Sequence, residues 1–169
     1  MEILKIIILT IIMGMCTALG LMKANRYKFR VIDLQEMKKA LNLATTKMRY
    51  TYEPLPDLFY EISKDLNENI SNIFKKSHEY MEDLSAGQAW EKAVDESTYN
   101  FTKEDINIIK GLSKLLGKTD LEGQLMQIEL TNKLLDEQIV QATNLKNKNT
   151  KLYKTLGATI GIAIMIIFI

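Results

Sequence analysis

The chain has 169 residues, enough for one domain and little more. Its 22 basic and 21 acidic side chains leave a formal charge of +1, so bulk charge gives no reason to expect a nucleic-acid partner. A single cysteine excludes an internal disulfide, and a single histidine excludes a multi-histidine metal site.

The averages hide a segregated sequence. From Ile6 to Met22 (IIILTIIMGMCTALGLM) no residue is charged, and none is from Thr155 to Ile169 (TLGATIGIAIMIIFI). A hydrocarbon core about 30 Å thick needs roughly 20 helical residues. Residues 4–22 and 152–169 come to about that length if Lys5 and Lys154 snorkel to the headgroups, so each is expected to be a transmembrane helix. Between them, 23–151 reads as an ordinary water-compatible helical domain. Lys23, Arg26, Lys28 and Arg30 follow the first run, and Lys146, Lys148, Lys151 and Lys154 flank the start of the second. Juxtamembrane positive charge is retained inside the cell, so a two-pass protein of the cell membrane with a cytoplasmic centre is expected. The rival reading is a cleaved signal peptide, because Ala18-Leu19-Gly20 resembles a small-residue cleavage site; the basic residues just after it argue against export. Cys16 reads as a small apolar packing residue.

In chain order, nothing between Leu21 and Glu53 breaks a helix, so the first span is expected to continue past the membrane. Leu34, Met37, Leu41, Ala44 and Met48 recur at spacings of three and four, a narrow apolar seam. Pro54 and Pro56 end that helix. Short helices are expected over 57–66, with Leu58, Phe59, Ile62 and Leu66 inward, and over 69–84, with Ile70, Ile73, Phe74 and Met81 inward. Ser85 or Gly87 is expected to break the chain before a two-turn helix over 88–95 presenting Ala89, Trp90, Ala93 and Val94. Trp90 reads as a core anchor. Thr102 and Asp105 form a capping-box-like start to the next helix, for which Gly117 is a natural stop. Thr119 with Glu122 is expected to cap the last helix, which carries Leu121, Leu125, Ile128, Asn132, Leu135, Ile139 and Ala142 as its seam. Asn132 is either a polar interruption that sets register or a solvated edge position. No stretch alternates with strand periodicity. The expectation is an all-α membrane-anchored bundle: two long antiparallel helices continuous with the spans, plus three or four short distal helices.

Catalytic chemistry has no visible home. His78 lies on a polar stretch, and no phosphate-cradling glycine loop or nucleophile elbow occurs. Neither an enzyme nor a cofactor is expected. Charge distribution is more informative: residues 53–105 hold 13 acids against five lysines, so the remainder is strongly basic. The bland account of this is solubility and orientation. The sharper one is that Asp57, Glu61, Asp65, Glu91, Asp95 and Glu96 form a surface for a basic partner. Gly157 with Gly161, and Gly14 with Ala18, are small-xxx-small pairs suited to close packing of the spans or to self-association.

The order of segments, from an N-terminal apolar run through MRYTYEPLPDLFYEIS, SAGQAWEKAV and FTKEDINIIKGLSKLLGKTDLEGQ to NKNTKLYKTLGATIGIAIMIIFI, closely resembles the stage III sporulation protein AB family of endospore-forming bacteria. The resemblance covers essentially the whole chain. Glu53, where a small polar residue is expected, and Gln88 beside Ala89 depart from the pattern. The resemblance implies a reduced relative of the inner-membrane platform of type II secretion and type IV pilus machines. It further implies a place in a channel complex between mother cell and forespore. The implied partners are a secretion-type ATPase, stage III sporulation protein AA, and other membrane proteins of the stage III sporulation A operon. A membrane-anchored scaffold or adaptor unrelated to secretion is the alternative.

Overall fold

The computed structural model describes the backbone of residues 2–51 and 53–168, with the side chains of 2–9, 13, 16, 154, 157, 158, 161, 164, 165, 167 and 168 left aside. Among the described residues the chain is helical with no strand: α1 (Glu2–Tyr50), α2 (Leu55–Ser63), α3 (Glu68–Tyr80), α4 (Ala86–Glu96), α5 (Lys103–Lys110), a 3-10 turn (Gly111–Lys114) and α6 (Leu121–Phe168). Among the described residues no helix is long and apolar enough to cross a membrane. The two expected spans fall partly outside the described side chains.

Contacts divide the chain into two compact units, Met1–Val31 with Gln141–Ile169, and Ile32–Val140. In the second, α1 and α6 run antiparallel. Asn132 Nδ2 donates to Asn42 Oδ1 at 3.0 Å, and Lys38 pairs with Asp136, so four steps back on α1 match four steps forward on α6. The α1 seam is buried as its spacing requires: Leu34, Met37, Leu41, Ala44 and Met48, with Ala40 beside them. On α6 the buried row is Ile128, Thr131, Leu135 and Gln138. Asn132 and Ile139, expected in that row, are half-exposed, and Thr131 and Gln138 replace them. Hydrophobic spacing cannot find such positions, because Thr131 is buried with its hydroxyl returned to its own helix at the Gln127 carbonyl, 2.9 Å away.

The short helices close on an aromatic cluster. Phe59 of α2, Phe74 of α3 and Trp90 of α4 meet edge to face, with centroids 5.1 to 5.7 Å apart. That is the favoured arrangement for ring quadrupoles. Leu58, Ile62, Ile70, Ile73, Ala89, Ala93 and Val94 complete this core. Each large aliphatic side chain removed from water contributes roughly 1.5–3 kcal/mol before ordering costs.

Caps set the boundaries. Asn67 opens α3 by accepting from the Ile70 amide at 3.1 Å, and Thr102 with Asp105 forms the expected capping box of α5. At α4 the break falls at Ser85, the first of the two expected positions, which caps the helix. Gly87 lies inside the helix rather than breaking it, and Gln88 Oε1 accepts from both Ser85 Oγ at 2.8 Å and Ser85 N at 3.4 Å. Gln88, one of the two departures from the family pattern, is therefore a capping residue. At α6 the cap is Asp120, one residue after the expected Thr119, with Oδ1 accepting from Gly123 N at 3.0 Å. The Thr119 hydroxyl instead donates to the Leu115 carbonyl at 3.4 Å, its carbonyl receives Gln124 Nε2 at 3.1 Å, and Gln124 Oε1 receives Gly117 N at 3.1 Å. Gly117 takes φ +70, a left-handed conformation that suits glycine. Gly117, Thr119, Asp120 and Gln124 thus form one hydrogen-bonded turn that launches α6.

Candidate interaction surface

The first acidic row lies on α2 and just beyond it. Asp57 is exposed in the first turn, where a carboxylate complements the helix dipole. Glu61 pairs with Lys64 at 2.6 Å. That hydrogen bond, opposed in part by desolvation, holds the Glu61 carboxyl below its usual range and raises the Lys64 ammonium. Asp65 follows the helix with an exposed side chain, and its carbonyl accepts from Lys39 Nζ at 2.7 Å.

The second row, on α4, is hydrogen-bonded from within, and one of its acids is paired with a cation. Asp95 receives Lys110 Nζ at 2.6 Å, and Glu91 Oε1 receives Ser113 Oγ at 2.5 Å. Glu96 accepts from the Tyr80 hydroxyl, and this bond raises the Tyr80 phenol above its ordinary value. Lys92 Nζ sits 4.0 Å from the Tyr80 ring centroid, completing a charged cap over that ring. Of the six acids singled out from sequence, all but the half-buried Glu61 are exposed; Glu61, Glu91, Asp95 and Glu96 are engaged by neighbours, and the Asp57 and Asp65 carboxylates take part in none of these bonds. Exposed Glu79, Glu82 and Asp83 around the C-terminal end of α3 extend the acidic surface. Their clustering in HEYMED was legible, but only the fold shows that they stand clear of α3's buried side.

Trp90 is fully buried, and its indole Nε1 donates to the Ile109 carbonyl at 2.8 Å, tying α4 to the end of α5. Gly87 explains the neighbouring close approach. A Cβ there would stand well inside contact distance of the Ser113 carbonyl oxygen, so α4 and the 3-10 turn can meet only at glycine. Gln127 Nε2 adds a bond to the Gly111 carbonyl at 3.1 Å. The AGQAW segment is thus a packing element in which Gly87, Gln88, Ala89 and Trp90 each do a separate structural job.

Sequence reading missed Asp33. It is almost completely buried on α1, among residues whose spacing marks them as apolar. Its carboxylate receives Asn69 Nδ2 at 3.2 and 3.3 Å, and both Asn100 N and Nδ2 at 2.9 Å. A buried charge is tolerated when donors surround it, as here. The only available signal was an acid beside Leu34, at the start of the buried seam.

Gly14 and Ala18 are exposed, and a Cβ at Gly14 would meet nothing within 4 Å. Gly157 and Gly161 lie outside the described side chains. Among the described residues no group of three or more His, Cys, Asp or Glu side chains is placed to hold a metal ion.

Comparison with known proteins completes the description. Stage III sporulation protein AB of Bacillus subtilis (strain 168) is 24% identical over 168 residues, spanning 97% of this chain and 98% of that protein. A solved structure of a stage III sporulation protein AB superposes with a TM-score of 0.64 at 21% identity, covering 71% of this chain and 98% of that one, and so shares the fold. The model of the family described as stage III sporulation protein AB matches residues 5–169, and the chain therefore belongs to that family.

Proposed function

We propose that the protein is a non-enzymatic platform in endospore formation. In this reading an acidic helical body is held at the mother-cell membrane by an apolar helix at each end. From the cytosolic side it receives a secretion-type ATPase, stage III sporulation protein AA, alongside other membrane proteins of the same operon. The observation that carries this is the match between compactness and charge. Residues 1–31 and 141–169, which form one unit, hold nine of the 22 basic residues and a single acid, Glu2. Residues 32–140 form the other unit and hold 20 of the 21 acids against 13 basic residues. Basic residues beside long apolar runs are the pattern of cytoplasmic flanks, where each cation gains on the order of 1 kcal/mol from the anionic leaflet. The acidic body complements a basic partner surface and speeds encounter with it. Family membership supplies the sporulation context.

The experiment is charge reversal at exposed carboxylates outside the salt bridges described above. Asp57→Lys, Asp65→Lys and Glu82→Lys together should lower co-purification of the ATPase by roughly tenfold, with helicity and Trp90 fluorescence unchanged. Recovery equal to wild type would remove this surface as the docking site.

A further inference from the structure

Within the unit of residues 1–31 and 141–169, Tyr27 of α1 stacks on Tyr153 of α6, centroids 5.9 Å apart and planes 16° from parallel. Lys23 Nζ lies 5.9 Å from the Tyr153 ring centroid. This pairing brings cations from distant parts of the sequence onto one stretch of the two helices. Lys23 and Arg26 lie within about one turn of Tyr27, and Lys146 and Lys151 within about two turns of Tyr153. The one acid of the unit, Glu2, precedes Lys23 on the same helix by about 32 Å at the helical rise, so it cannot neutralise them.

Like charges along one stretch repel, and an external anion set against them offsets that repulsion. The surroundings point to the type of anion. Met22 and Phe29, next to these cations on α1, are 68% and 46% exposed, and Leu152 beside Lys151 is 48% exposed. Cations interleaved with exposed apolar side chains, around tyrosines that have an apolar body and a polar tip, match the boundary between headgroup and acyl chain. A nucleic-acid backbone would satisfy the charge and leave Met22, Phe29 and Leu152 in water.

We propose that Lys23, Arg26, Lys146 and Lys151, gathered around the Tyr27–Tyr153 stack, bind the phosphate headgroups of anionic phospholipid. This rests on the two-span reading given above. Binding would concentrate anionic lipid around the protein and hold the two helices in the register that the stack defines.

The test uses the full chain reconstituted into mixed phosphatidylcholine and phosphatidylglycerol vesicles, then extracted into polymer-bounded discs for lipid analysis. Wild type should carry phosphatidylglycerol enriched about twofold or more over the bulk vesicle. The quadruple variant Lys23→Gln, Arg26→Gln, Lys146→Gln, Lys151→Gln should return to the bulk ratio. Enrichment should persist with millimolar inorganic phosphate present; its loss would show a free-anion site and overturn the lipid assignment. Chain retained after alkaline washing of the vesicles but showing no enrichment, or equal enrichment in the variant, would overturn the inference alone. Release of the chain by alkali would overturn the two-span reading and the inference together.

Discussion

Asp33 on the first long helix accepts hydrogen bonds at 2.9 Å from both the backbone amide and the side-chain amide of Asn100, 67 positions along the chain. With Asn69 as a further donor, this one carboxylate fastens α1 to α3 and to the segment before α5. Replacing it with alanine strands several donors in a buried site. Asp33→Ala should lower unfolding free energy by about 2–3 kcal/mol, read as a lower urea midpoint. Asp33→Asn should recover part of the loss, because its amide oxygen can take the place of the oxygen that receives Asn100 while its amide nitrogen faces Asn69. A midpoint unchanged by Asp33→Ala would show that water replaces the carboxylate without penalty.

Gly87 is the position where a single methyl group is least tolerable. Gly87→Ala should cost about 1–3 kcal/mol, since the obstructing atom at Ser113 is backbone and cannot rotate away. Gly14→Ala, where the new carbon meets open space inside a helix, should not lower the thermal midpoint of the isolated chain and should raise it slightly. Equal midpoints for Gly87→Ala and wild type would mean that α4 and the 3-10 turn separate freely.

Trp90 is the only tryptophan, so its emission reports directly on the core. Trp90→Phe keeps an edge-to-face ring against Phe59 and Phe74 but leaves the Ile109 carbonyl without its donor. It should cost about 1–3 kcal/mol, and Trp90→Ala about 3–5 kcal/mol, both measurable by far-ultraviolet dichroism in urea. Blue-shifted emission from wild type is expected; emission typical of an indole in water would contradict its burial.

The Tyr80–Glu96 bond gives a pH signature. Because the folded-state phenol is raised, its stabilising contribution is complete below the ordinary tyrosine range near 10 and is lost as pH rises through the folded value. Glu96→Gln should bring one phenol back toward its ordinary value, visible as earlier phenolate absorbance in an alkaline titration. Superimposable titrations of variant and wild type would exclude the pairing.

Much of this architecture was readable because it depends on periodicity and local chemistry. The α1 seam, the prolines that end that helix, the inward faces of α2 to α4 and the Thr102 capping box all express spacing or a single side-chain bond. What escaped depends on residues distant in sequence. Asp33 is acceptable only because Asn69 and Asn100 arrive from elsewhere, and Gly87 is needed only because Ser113 approaches. Thr131 and Gln138 were passed over because a polar letter in an apolar row reads as exposed. For the interaction surface, composition found the acids but could not reveal that Lys110, Ser113 and Tyr80 already occupy those on α4.

Topology decides the rest. With Cys16 replaced by serine and Asp83, exposed beyond α3, replaced by cysteine, a membrane-impermeant maleimide can be applied to intact protoplasts. A body facing the cell interior should stay unlabelled until the membrane is opened and then react fully. Labelling of intact protoplasts would place the acidic body outside and contradict the platform reading.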